Sequence, residues 1–280
     1  MSELMKWSGS KDSQAKNIIS YFPKKIKMYF EPFLGGGSIF LELLESDIEV
    51  DYYILSDINK ELIDCYKAIY EEPDKLISAY KTHYDNFNSA DIQHRKNYFA
   101  DVRKEFNLTK KAEDFYWIMR TTTNGMPRYN KNGDFNNSCH FSRPGMKPEE
   151  VEKIILRYHN LMKYKHITIT NSSYDQIYMH FQISEFEYNN YFMYCDPPYQ
   201  NTKGMYFGGF DNTKFINWLN NLKCDWALSY DGKVNETKVN HIAPNYKRHE
   251  YLLSGNSSFR RVIGNSNDSI ISESLYLNYD

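Results

Sequence analysis

Asp196, Pro197, Pro198 and Tyr199 follow directly on the apolar run Tyr-Phe-Met-Tyr-Cys at 191–195. Such a run reads as a buried strand, and the two prolines must end it, because proline supplies no ladder donor. The strand's last side chain and carbonyls are then held rigidly at a sheet edge, and in open α/β sheets the carboxyl edge is where ligands bind. The four residues suit one kind of chemistry. An exocyclic amino group on an aromatic base is a poor nucleophile, because its lone pair is delocalised into the ring. A carboxylate and a fixed backbone carbonyl that accept its two hydrogens turn the lone pair toward an electrophile, and a tyrosine ring offers the base a stacking face. Positioning of this sort speeds a direct group transfer without a covalent intermediate. Asp196, Pro197, Pro198 and Tyr199 are therefore the candidate catalytic residues. The competing account is an ordinary Pro-Pro turn.

A second cluster is Phe33, Leu34, Gly35, Gly36, Gly37 and Ser38, with Asp57 twenty residues beyond Gly37. Glycines after a first strand let backbone approach a ligand, and an acid at the end of the second strand can accept hydrogen bonds from ribose hydroxyls. The pattern is not GxGxxG, so a dinucleotide, a nucleoside and a plain tight turn all remain open.

The elements that must position these residues are legible in outline. The segment 27–33 reads as a buried strand running into the glycine turn. Ser38 is the expected N-cap of a helix beginning at Ile39. Residues 52–55 form a second short strand, and helical spacing starts near Asn59. This β–turn–α–β–α opening predicts a mainly parallel sheet. Helices are expected over 73–84, 91–106, 111–120 and 148–162, and strands over 166–170, 191–195, 226–229 and 273–278. Between 128 and 135 the chain reads as a β-hairpin turning at Asn132-Gly133. A strand-rich frame, 1–70 and 165–280, thus brackets an insert, 71–164. Ser229 to Gly232 are expected to wall the base pocket or to form a simple turn. The polar stretch 254–269 reads as a surface loop, in which Arg260 and Arg261 can meet phosphates.

The bulk composition excludes several classes. Hydrophobic residues make up 41% of the 280 and charged residues 25%, which suits a folded domain rather than a disordered one. No run of eighteen apolar residues exists and the first residues lack an apolar leader. The four cysteines, Cys65, Cys139, Cys195 and Cys224, form no CxxC pair. These features together predict a reduced, cytoplasmic protein with neither a disulfide framework nor a zinc site. His140 and His166 have no partner at ligand spacing, so no catalytic metal is expected. The net charge is −2, but residues 71–164 carry 16 Lys and Arg against 13 Asp and Glu. Local basic surface is what a duplex feels, within about a Debye length of roughly 8–10 Å.

Taken in order, the motifs resemble those of the Dam-type DNA adenine-N6 methyltransferases over nearly the whole chain. The matching pieces are Lys6-Trp7-Ser8-Gly9-Ser10-Lys11, Glu31-Pro32-Phe33-Leu34-Gly35-Gly36-Gly37-Ser38 and Ser56-Asp57-Ile58-Asn59. Asn124-Gly125, then Arg128-Tyr129-Asn130, then Gly133-Asp134-Phe135-Asn136 follow, with Asp196-Pro197-Pro198-Tyr199 and Glu273-Ser274-Leu275-Tyr276-Leu277-Asn278 after them. The resemblance implies an α/β, Rossmann-like methyltransferase core with a mainly parallel sheet. It also implies an inserted helical target-recognition subdomain carrying a hairpin. It implies S-adenosyl-L-methionine as cofactor, with contacts from Trp7, Lys11, Phe33, Gly35, Gly37, Asp57 and Asp196. Read without the family, Trp7 is more often a core anchor and Lys11 more often a solvated charge. Double-stranded DNA is the implied partner, with the target adenine flipped out of the stack. Arg128, at the base of the hairpin, is the expected reader of guanine O6 and N7. Arg120, Asn124 and Asn130 are its expected companions on base or phosphate. Residues 137–144 depart from the pattern of GATC-reading members, which leaves the target sequence open. A monomer suffices for this chemistry. The alternatives are another amino acceptor, such as cytosine N4 or an RNA base, and a DNA-binding protein on a decayed scaffold. Asp at position 196, where amide-methylating relatives usually carry Asn and cytosine-N4 types more often Ser, favours adenine.

Overall fold

The computed structural model describes residues 4–123, 125–177, 190–199, 210–239, 242–253 and 271–280. Along the chain these form α1 (Ala15–Ile19), β1 (Lys25–Glu31), α2 (Ser38–Glu45), β2 (Glu49–Asp57), α3 (Lys60–Glu71), α4 (Pro73–Phe87), α5 (Ile92–Thr109) and α6 (Ala112–Thr121). Then come α7 (Pro148–Met162), β3 (His166–Asn171), β4 (Tyr191–Cys195), α8 (Asn212–Asn220), β5 (Asp225–Val234), β6 (Thr237–Lys238), β7 (Arg248–Leu253) and β8 (Ile271–Leu277). They divide between two compact units. One holds residues 11–34, 38–58 and 165–280; the other holds 1–10, 35–37 and 59–164.

The first unit is built on a single sheet in the order β3-β2-β1-β4-β5-β8-β7, with β6 on β5. Pairings among β1 to β5 are parallel, and those of β8 with β5 and β7 are antiparallel. The central strands are apolar on both faces, as a parallel sheet covered on both sides requires, and all five residues of β4 are buried. Phe30, Met193, Trp226, Leu228 and the helix residues Phe215, Ile216 and Leu219 share one core. The chain runs outward through β2 and β3 on one side of β1 and through β4 and β5 on the other. Strand order therefore reverses between β1 and β4, and the carboxyl ends of these two strands flank the crevice where such sheets bind ligands.

The second unit is helical. α3 packs on α4, α6 and α7, and α5 packs on α4 and α6. Trp117 on α6 is its buried hub, ringed by His83, Phe87, Tyr98 and Phe99. Side-chain caps fix two helix starts here: Asn59 Oδ1 accepts the Leu62 amide at 2.8 Å, and Asp91 Oδ1 accepts that of His94 at 2.9 Å. α3 belongs with this unit because its apolar face meets α4, α6 and α7, whereas a catalytic segment reaching to residue 70 would leave it with the sheet.

Three local expectations are revised. Ser38 is the first residue of α2 rather than its cap, and its Oγ accepts the Lys11 amide at 3.2 Å. The 128–135 hairpin is a single bridge between Tyr129 and Phe135 rather than two strands. Its three-residue loop is closed by Asn130 N to Asp134 O at 2.8 Å, and Gly133 takes φ +83°. Ser229 to Gly232 are not a turn; they continue β5 through an irregularity between Tyr230 and Lys233. The predicted helices 73–84, 91–106 and 111–120 each extend slightly further, while α1, α8 and β7 went unmarked by any periodic signal.

Candidate active site

Asp196 is the first residue beyond β4, and Glu31 is the last of β1. Because β1 and β4 pair in parallel, with Phe30 opposite Met193, the two carboxyl groups are delivered to the same edge of the sheet. Their surroundings differ. Glu31 is buried; it accepts the Tyr29 hydroxyl at 2.7 Å and the Phe40 amide of α2. Burial pushes its pKa up to about 8, against the pull of Tyr29 and with a further push from Asp196. Glu31 is thus largely uncharged at neutral pH. The Asp196 side chain keeps 18% of its surface exposed. Burial raises its pKa to about 6, Lys11 holds it down and Glu273 drives it up, so it is mostly ionised at pH 7.

Lys11 is the counter-charge. Its side chain is 7% exposed, and Nζ lies 2.9 Å from Asp196 Oδ2 and 3.4 Å from Glu273 Oε2. The same ammonium sits 5.0 Å from the centroid of the Tyr199 ring. Tyr199 donates its hydroxyl to Glu273 Oε2 at 3.0 Å and meets Tyr230 edge-on at 5.8 Å. Beneath them, Tyr194 Oη and Ser229 Oγ lie 2.7 Å apart in the buried layer. The Lys11 ammonium thus lies between the carboxyl groups of Asp196 and Glu273.

Other predicted residues fall as follows. Phe33 is half-buried beside Tyr174, Phe210 and Phe215, with ring centroids 5.6 to 5.9 Å away. Asp57 ends β2, next to β1 in the sheet, and is partly exposed; Asn171 Nδ2 pins the turn after it by donating to the carbonyls of Asp57 and Ile58. Trp7, Gly35 and Gly37 belong to the helical unit. There, a Cβ on Gly36 would come 3.2 Å from Trp7 Cβ, and one on Gly37 would meet Tyr66 Oη at 2.3 Å. Tyr66 in turn donates to the Gly35 carbonyl at 3.1 Å. The glycines are therefore required for close packing as well as for the positive φ of Gly35 and Gly37.

Arg128 and Asn130 are exposed on the 128–136 loop. The Arg128 amide donates to Asn137 Oδ1 at 2.6 Å, and its carbonyl accepts from Asn136 at 2.9 Å, so an open side chain stands on a pinned backbone. Asn130 is occupied locally: its Oδ1 accepts the amides of Asn132 and Asp134. Arg120 is turned inward, donating to the Leu4 carbonyl at 3.0 Å and to Met146 Sδ. Asn124, Arg260, Arg261 and the loop 254–269 lie outside the described residues. Among the described residues no group of three or more His, Cys, Asp or Glu is arranged to hold a metal ion, and no helix is long and apolar enough to cross a membrane.

Glu31 and Glu273 are the functional candidates that residue typing passed over. The available signal was a lone acid in each of two apolar strands, since an ionisable group in such a run is seldom buried without a partner.

A type II methyltransferase of Methanocaldococcus jannaschii, M.MjaIII, is 31% identical over 209 residues, covering 70% of this chain and 68% of its own. One from Paramecium bursaria Chlorella virus NC1A, M.CviBI, is 29% identical across 89% of this chain and 90% of its own. The DNA adenine methylase of Vibrio cholerae is 30% identical across 70% of this chain and 64% of its own. Residues 7–254 match the family described as D12 class N6 adenine-specific DNA methyltransferase, and the chain belongs to that family.

Proposed function

We propose that this DNA adenine-N6 methyltransferase uses Asp196 to orient the amino group of an adenine rotated out of the duplex, with S-adenosylmethionine as donor. The observation that carries the proposal is the partly exposed Asp196 carboxyl group held by Lys11 at the β1/β4 reversal. When bound, S-adenosylmethionine supplies an electrophilic methyl group. The sheet unit offers Phe33 as an apolar wall and Asp57 as a ribose acceptor. Asp196 and a carbonyl of the turn after it accept the two amino hydrogens, and Tyr199 stacks on the base. Rotating the base out costs a few kcal/mol, which stacking and these hydrogen bonds offset. After transfer the nitrogen carries one proton too many, and Asp196, ionised at neutral pH, is the base placed to receive it.

The exposed Arg128 is the proposed base reader, and residues 71–164 the proposed target-recognition segment. The test is expression in a methylation-free host followed by modification-sensitive sequencing. N6-methyladenine at one short motif is expected from the parent chain and none from Asp196→Ala at equal soluble yield. Near-normal methylation by that variant sinks the assignment.

A further inference from the structure

We propose that Glu273 is a positioning residue: it ties the Lys11 ammonium and the Tyr199 hydroxyl to one carboxylate and so fixes the catalytic Asp196 and the stacking ring in register. This deepens the assignment of Asp196 and rests on it. Glu273 Oε2 is the shared atom, 3.4 Å from Lys11 Nζ and 3.0 Å from Tyr199 Oη. Lys11 is at the same time 2.9 Å from Asp196 and 5.0 Å from the Tyr199 ring centroid. Four residues from three chain segments thus close a loop of charge and ring contacts.

The backbone is shaped to bring Glu273 there. β8 runs antiparallel to β5, with Ser274 opposite Tyr230, and the register slips between Tyr230 and Lys233. Gly232 sits in that slip. A Cβ on it would lie 2.2 Å from the Ser272 carbonyl oxygen and 2.8 Å from Glu273 Cα, so only glycine lets β8 approach this closely. Glu273 itself keeps 11% of its side-chain surface, and an acid buried to that degree persists only when partnered.

Two effects follow. The Tyr199 ring is held from its hydroxyl end, which sets the plane on which a base stacks. The second carboxylate also competes for Lys11, and this like charge keeps Asp196 a better base than Lys11 alone would leave it. Facing Asp196 are Lys11, Glu273, Glu31 of β1, Tyr194 and Cys195 of β4, and Tyr199. Glu273 is the carboxylate among them that shares the Lys11 ammonium with Asp196.

The experiment is single-turnover methylation of a duplex carrying the target motif, from pH 5 to 9, by the parent chain, Glu273→Gln, Glu273→Ala and Asp196→Ala. DNA affinity is read in parallel by anisotropy. Glu273→Gln keeps an acceptor for Tyr199 but loses the charge. Its rate plateau is expected to fall less than about tenfold, while the acid limb moves down by about one pH unit. Glu273→Ala loses both, and its plateau is expected to fall roughly tenfold or more with DNA affinity unchanged. An unmoved acid limb in Glu273→Gln, or a parent-like plateau in Glu273→Ala, overturns the proposal. A structural role alone would lower the yield of folded protein without moving the limb. Activity in Asp196→Ala would instead overturn the assignment on which this rests.

Discussion

At the scale of single residues, the two strand-end carboxylates divide their labour by environment. Asp196 retains solvent and a lysine, and Glu31 has neither, so their pKa values separate to about 6 and about 8. In the proposed mechanism Asp196 must be ionised to accept an amino proton. The rate of methyl transfer should therefore be flat above pH 7 and fall tenfold per unit below about 6, a limb that Asp196→Ala abolishes together with activity. Glu31 makes a statement about stability. Its pKa is raised on folding, so between 4.5 and about 8 the folded chain holds a proton that the unfolded chain has lost. Folding stability from this group thus declines as pH rises through that window and is lowest above 8. Glu31→Gln keeps an acceptor for Tyr29 and removes the titration. Urea midpoints at pH 5 and pH 8.5 should differ less for the variant than for the parent; an equal difference would show that Glu31 titrates normally.

At the scale of elements, backbone shape was legible where it depends on residue type and obscure where it depends on packing. The prolines at 197 and 198 announced the end of β4, and Pro148 the start of α7, because proline's constraint is local. α1, with five residues, and β7, with an exposed outer face, offer too little periodicity to be seen. Lys11 looked like a solvated charge because its partners lie 185 and 262 residues away in sequence. The glycine segment shows both sides. Its turn was evident, but the tight fit of Gly37 on Tyr66 was not. Gly37→Ala forces a Cβ to within 2.3 Å of Tyr66 Oη at φ +70°, so a loss of roughly 2–4 kcal/mol in unfolding free energy is expected. Adding Tyr66→Phe should recover part of it, since the clashing oxygen is gone. No recovery would place the whole cost in the backbone. The 128–136 loop, the proposed recognition element, separates in the same way. Arg128→Ala should weaken binding to the target duplex by about 1–3 kcal/mol and relax specificity at one base, leaving the melting temperature unchanged. Arg120→Ala should lower the melting temperature instead, because its guanidinium holds the Leu4 carbonyl.

At the scale of the whole molecule, a chain of net charge −2 that acts on a polyanion must concentrate its cations. Residues 71–164 carry a net +3, and the remaining 18 Lys and Arg against 23 Asp and Glu carry −5. Long-range attraction to DNA is therefore weak, and binding rests on the few basic side chains that come within a Debye length of phosphate. Lys131, within the 128–136 loop, and Arg143 are both exposed. Each should act through a phosphate, the commonest partner of an exposed basic side chain at a duplex. A phosphate contact releases counterions, so its loss weakens every sequence alike and lowers the slope of log affinity against log salt by about one. Lys131→Ala with Arg143→Ala should flatten that slope by about two while preserving the preferred motif. Lys24→Ala, which removes a surface cation already paired with Asp47 in the sheet unit, should leave the slope unchanged. A steep slope retained in the double variant, or a flattened one in Lys24→Ala, would move the DNA footprint off the 71–164 segment.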